Sequence, residues 1–233
     1  MKPYDAILFD KDGTLYDFQG SYGHWARDLV SHLAGDDGAL AECLAAEIDL
    51  DLANGRFGPS SVAIAGTAHD IAEAFLPHLR DPPERSTLIR WIDDSAMSVP
   101  LQEAVPLSAF LASLSALGYQ LGVVTNDSEA PARVHLAQSG ILESFQFVAG
   151  YDSGHGAKPA PGPLLAGAAA LGVEPRRVVM VGDSRHDLLA GRAAGMATVA
   201  VLTGLASPED LDPLADAVLP DIGHLTAWLG AQP

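Results

Sequence analysis

Ile7-Leu8-Phe9-Asp10-Lys11-Asp12-Gly13-Thr14-Leu15 is the stretch that decides the fold. Its three apolar residues follow Ala6 and read as a short buried strand. The strand runs directly into two carboxylates, a glycine and a threonine. Open α/β sheets hold ligands at the carboxyl ends of their strands. An acidic pair left there is costly unless something cationic binds it. Asp10 and Asp12 are two positions apart, so both can lean to one side as the chain leaves the sheet. Gly13 allows a sharp turn, which lets the amides of Lys11 to Thr14 face an anion. Lys11, between the two carboxylates, is expected to point away from Asp10. An Asp-Gly turn after an edge strand would look the same locally, so the rest of the chain has to decide.

Working outward, the next recognisable strand comes only after a long helical stretch. From Tyr16 to Met97 the β-branched runs vanish and apolar residues fall at helical spacing. Trp25, Leu29, Val30 and Leu33 share one helical face, and Leu40, Leu44, Ile48 and Leu52 continue in steps of four. Gly55-Arg56-Phe57-Gly58-Pro59 and Asp81-Pro82-Pro83 break the pattern. From Val99 the chain alternates. Leu107–Leu117 reads as a helix closed by Gly118, Gln120–Thr125 as a strand, Ala130–Gln138 as a helix and Phe145–Ala149 as a strand. Gly162–Leu171, Val178–Val181, Leu188–Ala194 and Ala197–Leu202 continue the alternation, the last being the final clear strand. Strands alternating with helices predict an α/β fold with a doubly wound parallel sheet. The expected division is an α/β core of residues 1–16 and 98–233, with an inserted all-α helical domain of residues 17–97.

Four of these strands end in polar groups suited to one task. The first gives Asp10 and Asp12. The second gives Thr125, Asn126 and Asp127, where a hydroxyl and an amide can donate to phosphate oxygens. The third leads through a glycine-rich loop to Lys158-Pro159, an ammonium able to neutralise charge. The fourth gives Asp183, Ser184 and, four positions after Asp183, Asp187. Asp10, Asp12 and Asp183 together are too dense a negative patch to stand alone at neutral pH. A hard divalent cation relieves it, and oxygen ligands of this kind suit Mg²⁺. Gly182-Asp183-Ser184-Arg185-His186 is no nucleophile elbow, since His186 stands where glycine is needed. A dinucleotide fingerprint, a Walker A loop and a His-Glu-x-x-His zinc pair are also missing from the sequence.

Asp-x-Asp-Gly-Thr, then Thr-Asn, then Lys-Pro, then Gly-Asp-x-x-x-Asp, in this order across the core, resembles the four motifs of the haloacid dehalogenase (HAD) superfamily. The helical insert after the first motif resembles the C1-type cap of that superfamily's phosphatases and phosphosugar mutases. Among these the chain looks most like phosphoglycolate phosphatases and their relatives. The resemblance implies a Rossmann-like HAD core and a Mg²⁺-dependent phosphatase acting on a small phosphorylated metabolite such as 2-phosphoglycolate. It implies Asp10 as nucleophile forming an aspartyl-phosphate, and Asp12 as general acid/base. Mg²⁺ would be held by Asp10, the Asp12 backbone carbonyl and Asp183. Thr125 and Lys158 would grip the phosphoryl group, with Asn126 beside them, and Asp187 would orient Lys158 or Ser184. An aspartate at position 12 disfavours dehalogenation. A phosphosugar mutase, or a non-catalytic HAD-fold binding or regulatory protein, are the alternatives.

Outside these motifs the signals thin out. Arg56, flanked by glycines, and His24, early in the first insert helix, are offered as substrate-specificity residues. His155 and His186 flank the motifs. Trp25, Trp91 and Trp228 are expected in core or interface packing, and Cys43 as a packed core thiol.

Composition sets the outer bounds. The 233 residues carry 30 acidic and 13 basic side chains, a net charge of -17, and a mean hydropathy of +0.16. That field repels phosphate backbones, so no nucleic-acid partner is expected. It also repels phosphate esters, which is why a metal and a local lysine are needed. With a single cysteine, no signal-like apolar run and no membrane-length segment, a cytoplasmic protein without a membrane partner is expected. Monomer and homodimer are equally open.

Overall fold

The computed structural model describes residues 2–232. Strand β1 (Ala6–Phe9) is fully buried. It is followed by helix α1 (Phe18–Ala34), helix α2 (Gly38–Glu47), strands β2 (Leu50–Asp51) and β3 (Arg56–Phe57), and helices α3 (Val62–Ala65), α4 (Ala68–Phe75) and α5 (Arg85–Ala96). The chain then alternates through α6 (Leu107–Ala116), β4 (Gln120–Val124), α7 (Glu129–Gln138), β5 (Phe147–Ala149), α8 (Gly162–Ala170) and β6 (Val178–Gly182). It ends with α9 (Arg185–Ala193), β7 (Ala197–Val201), α10 (Pro208–Leu211), β8 (Ala217–Leu219) and α11 (Leu225–Gly230).

The main sheet has the order β5-β4-β1-β6-β7-β8, and every pairing in it is parallel. β1 sits between β4 and β6, in register Leu8 to Gly122 and Leu8 to Met180. Alternation along β1 feeds both faces. Ile7 and Phe9 pack with Leu107, Leu111, Leu225 and Leu229 on one side. Ala6 and Leu8 pack with Leu164, Ala168 and Met180 on the other. This two-sided burial explains why the strands read as continuous apolar runs. The edge strand β8 escaped the sequence reading because it is three residues long and only half-buried.

The segment between β1 and α6 builds its own apolar cluster, with Phe18, Tyr22, Leu44, Phe57, Phe75, Leu88 and Ile92 in it. It is not wholly helical, as the spacing had suggested. β2 and β3 pair antiparallel, Leu50 to Phe57 and Asp51 to Arg56. The apparent four-residue step from Ile48 to Leu52 is broken because Asp49 takes a positive φ of 49°, and Gly55, at 63°, lies in the turn that leads into β3. The Asp51 carboxylate accepts from Ala53 N (2.9 Å) and Asn54 N (3.2 Å), an Asx turn that competes with helix. Cys43 is half-buried rather than a full core thiol, with Sγ 3.2 Å from His78 Nδ1. Trp91 is 43% exposed, and Trp228 stacks on Tyr4. No helix among the described residues is long and apolar enough to cross a membrane.

Candidate active site

The site lies where β1, β4 and β6 end, because parallel strands bring all their carboxyl termini to one edge. Asp10 continues the ladder by one bond beyond β1, its N–H donating to Val181 O at 2.9 Å. Thr125 does the same beyond β4, donating to Ala149 O at 3.0 Å. The sheet thus fixes the backbone of both residues. Lys158, at the end of the loop after β5, places Nζ 2.7 Å from Asp10 Oδ1 and 2.6 Å from Asp187 Oδ1. A third contact, to Val124 O at 2.9 Å, completes its donors. All three side chains are nearly or fully buried. Burial works against the Lys158 ammonium, but Asp10 and Asp187 outweigh it and hold its pKa above the ordinary value.

Burial pushes the Asp10 carboxyl up to about 7; Lys158 opposes the shift, while Asp187 and Asp12 add to it. The Asp183 carboxyl is raised as well, by burial first and then by Asp187 and Asp10. Three buried carboxylates thus share the one ammonium of Lys158, and their mutual repulsion adds to the cost of burial. Carboxylate oxygens of Asp10, Asp183 and Asp187 lie within 4.8 Å of one another. Asp187 has both oxygens engaged: Oδ1 with Lys158, and Oδ2 accepting from Ser184 N (3.0 Å) and Ser184 Oγ (2.6 Å) in a capping box at the start of α9. Asp183 differs. Its Oδ1 accepts from Thr14 Oγ1 at 3.3 Å, but its buried Oδ2 has no hydrogen-bond partner among the described residues. A Cβ at Gly13 (φ +79°) or at Gly204 would run into this carboxylate. An orphaned oxygen among hard oxygen donors fits a divalent cation.

Asp12 lines the same cavity as Asp10, and Lys11 holds its carboxylate. Lys11 is fully buried and its Nζ donates to both Asp12 carboxylate oxygens at 2.6 Å. The same ammonium lies 3.2 Å from Asp127 Oδ2, 3.0 Å from the Tyr22 hydroxyl of α1 and 3.1 Å from His135 Nδ1 of α7. His135 Nε2 is 2.8 Å from Ala96 O, which can only accept; the ring is therefore Nε2–H, with Nδ1 accepting from Lys11. Lys11 does leave Asp10, as alternation requires, but it turns into a buried five-residue network and not out to solvent. A lone lysine between two aspartates gives no sign of partners as distant as Tyr22 and His135.

Thr125 accepts at Oγ1 from Asp127 N (3.1 Å), which leaves its hydroxyl proton to donate. Asn126 does not fit its expected part. Its Nδ2 donates to Ala65 O (2.8 Å) and Lys158 O (2.9 Å), and its Oδ1 accepts from Lys158 N (2.9 Å). Both amide donors are spent on backbone, so Asn126 holds the Lys158 loop and ties it to α3. His24 and Arg56 are exposed and line no part of the cavity over Asp10. On α1 the face of Phe18, Tyr22 and Trp25 turns to the cavity, and position 24 lies off it. On β3 Phe57 turns inward onto Phe18, with ring centroids 5.1 Å apart, so Arg56 turns out. His186 lines the cavity, while His155 is exposed.

Asp93 of α5 is a cavity residue with no sequence signal, a half-buried carboxylate accepting from Ser128 Oγ at 2.9 Å. Burial pushes it up to about 6, opposed by the Ser128 hydroxyl and helped by Asp127, Asp152 and Asp94. A folded pKa above the ordinary 3.8 means that the native state binds this proton more tightly than the unfolded chain. The stability it lends is complete below 3.8 and is lost as the pH rises through about 6. Asp93→Asn is therefore expected to melt about 2–4 °C above wild type at pH 8, for about 1 kcal/mol after discounting the exposed half. The two proteins should converge near pH 4, and thermal melts across this range check both ends.

A family model for haloacid dehalogenase-like hydrolases matches residues 4–195, and the chain belongs to that family. Within it, the chain is 33% identical to the phosphoglycolate phosphatase of Rhodospirillum rubrum, over 97% of this chain and 90% of that one. It is 29% identical to the N-acetylmuramic acid 6-phosphate phosphatase of Pseudomonas aeruginosa, over 88% and 84%. In fold it matches a crystal structure of a predicted phosphoglycolate phosphatase from Haemophilus somnus, with a TM-score of 0.76 and 19% identity, over 98% and 99% of the two chains.

Proposed function

We propose that the protein is a phosphatase that hydrolyses a small phosphomonoester, of the size of 2-phosphoglycolate, through an aspartyl-phosphate on Asp10. The observation that carries this reading is the Lys158 ammonium 2.7 Å from Asp10 Oδ1 on a cavity floor shared with Asp12 and Thr125, with a carboxylate oxygen of Asp183 within 4.8 Å of one of Asp10. Asp10 attacks phosphorus, a P–O bond to its carboxylate forms, and the ester P–O bond breaks. Asp12 delivers the proton to the departing alkoxide. It then takes one from the water that attacks the acyl-phosphate and frees inorganic phosphate. Thr125 and Lys158 hold the phosphoryl oxygens, and Asp187 keeps the lysine aimed. Mg²⁺ would be held by Asp10, Asp183 and the Asp12 backbone carbonyl, where it offsets charge between carboxylate and phosphate. The segment over the site, residues 17–97, serves as the cap that sets which leaving group fits.

Assaying a panel of phosphate esters with Mg²⁺ and with EDTA tests this. Inorganic phosphate should be released with Mg²⁺, fall to background with EDTA and return when Mg²⁺ is restored. Unchanged turnover in EDTA would remove the metal from the reading. A hexose 1-phosphate converted to hexose 6-phosphate would make the protein a mutase, and silence across the panel would make it a binding protein.

A further inference from the structure

The cavity over Asp10 has a polar floor and a wall of a different kind. Its wall is built by Phe18, Tyr22 and Trp25 from α1, Ile64 from α3, and Ile92 and Asp93 from α5. Ligand pockets of this composition recognise shape with apolar surface and fix orientation with a few polar groups. Among the described residues lining it, Lys158 is the sole lysine or arginine, and its ammonium already faces Asp10 and Asp187. The one other basic side chain, His186, belongs to the first turn of α9 beside Ser184, on the core side. The wall carries no cation at all. It carries the Asp93 carboxylate instead, tethered by Ser128. The open volume is about 60 Å³, roughly four to six water-sized positions. Asn126 Nδ2, bonded to Ala65 O, ties α3 down on the core beside it.

A phosphate ester whose leaving group ends in a second anion would bring that anion toward Asp93, with no cationic side chain on the wall to neutralise it. Like charges placed together in a partly desolvated site are strongly disfavoured. A short uncharged alcohol meets no such opposition, because Ile64, Ile92 and Trp25 cover its carbon chain and Asp93 can accept from a hydroxyl. Resting on the phosphatase reading above, we propose that this site is specific for phosphomonoesters of short uncharged alcohols and discriminates against leaving groups bearing a carboxylate or a second phosphate. Asp93 supplies the rejection and the aliphatic wall supplies the fit.

The test compares three small esters on the full chain with Mg²⁺: n-propyl phosphate, 2-hydroxyethyl phosphate and 2-phosphoglycolate, each followed by phosphate release. The kcat/KM of the two uncharged esters should exceed that of 2-phosphoglycolate by about tenfold or more. Asp93→Asn should narrow this ratio, mostly through a lower KM for 2-phosphoglycolate. Ile64→Arg, which puts a cation on the half-buried wall, should raise kcat/KM for 2-phosphoglycolate above wild type. Equal or better turnover of 2-phosphoglycolate by wild type, or a ratio that Asp93→Asn leaves unmoved, overturns the proposed specificity and leaves the phosphatase reading standing. Hydrolysis of none of the three, nor of a chromogenic ester, overturns the phosphatase reading and the specificity with it.

Discussion

Asp10→Asn is expected to lower phosphomonoester turnover by about 10⁴-fold or more while the melting temperature stays near that of wild type. The amide keeps the shape of the carboxyl but cannot form the acyl-phosphate. The fold should tolerate the change because Lys158 retains Asp187 at 2.6 Å and Val124 O at 2.9 Å. Burial, with Asp187 and Asp12 nearby, already pushes Asp10 up to about 7 against the pull of Lys158, so replacing it with a neutral group relieves like-charge crowding around Asp183. Steady-state phosphate release and a thermal melt on the same preparation give both readings. Residual activity within tenfold of wild type would sink Asp10 as the nucleophile.

The second large effect is on stability. Lys11→Met is expected to cost about 3–5 kcal/mol, seen as a melting temperature lower by roughly 6–20 °C in a chain of this size. The ammonium is fully buried and lies between the Asp12 and Asp127 carboxylates at 2.6 and 3.2 Å. Burial opposes its charge, yet Asp12, Tyr22 and Asp127 hold its pKa well above the ordinary value. Removing it leaves two desolvated carboxylates facing each other and strips the Tyr22 hydroxyl and His135 Nδ1 of a shared donor. Adding Asp127→Asn to Lys11→Met should recover part of the loss, since it removes one of the stranded charges. A loss under about 1 kcal/mol would mean that the network contributes little.

Lys11 also shows where sequence reasoning stops. Alternation along a strand correctly turns it away from Asp10, but alternation says nothing about what waits on the other side. The partners come from α1, α7 and the loop after β4, far apart in sequence and joined only by the fold. Asn126 carries the same lesson in reverse. Its amide looked free to bind phosphate, and the structure spends both donors on the backbones of Ala65 and Lys158. Arg56 and His24 stand away from the cavity over Asp10 for local reasons, strand alternation and helix phase, which follow once the element boundaries are known. The β2–β3 hairpin upset those boundaries because the Asp51 Asx turn and the positive φ at Asp49 overrode a helical spacing.

By itself the sequence determined the parallel α/β architecture and the residues that stand at its strand ends. Buried parallel strands are continuous apolar runs, and the polar residue that ends each run is delivered to the same edge of the sheet. Tertiary structure alone decided which donors remain free, which charges are paired and what lines the wall opposite Asp10. Those properties depend on side chains from segments far apart in the chain meeting within hydrogen-bond distance, and spacing along the chain does not encode such meetings.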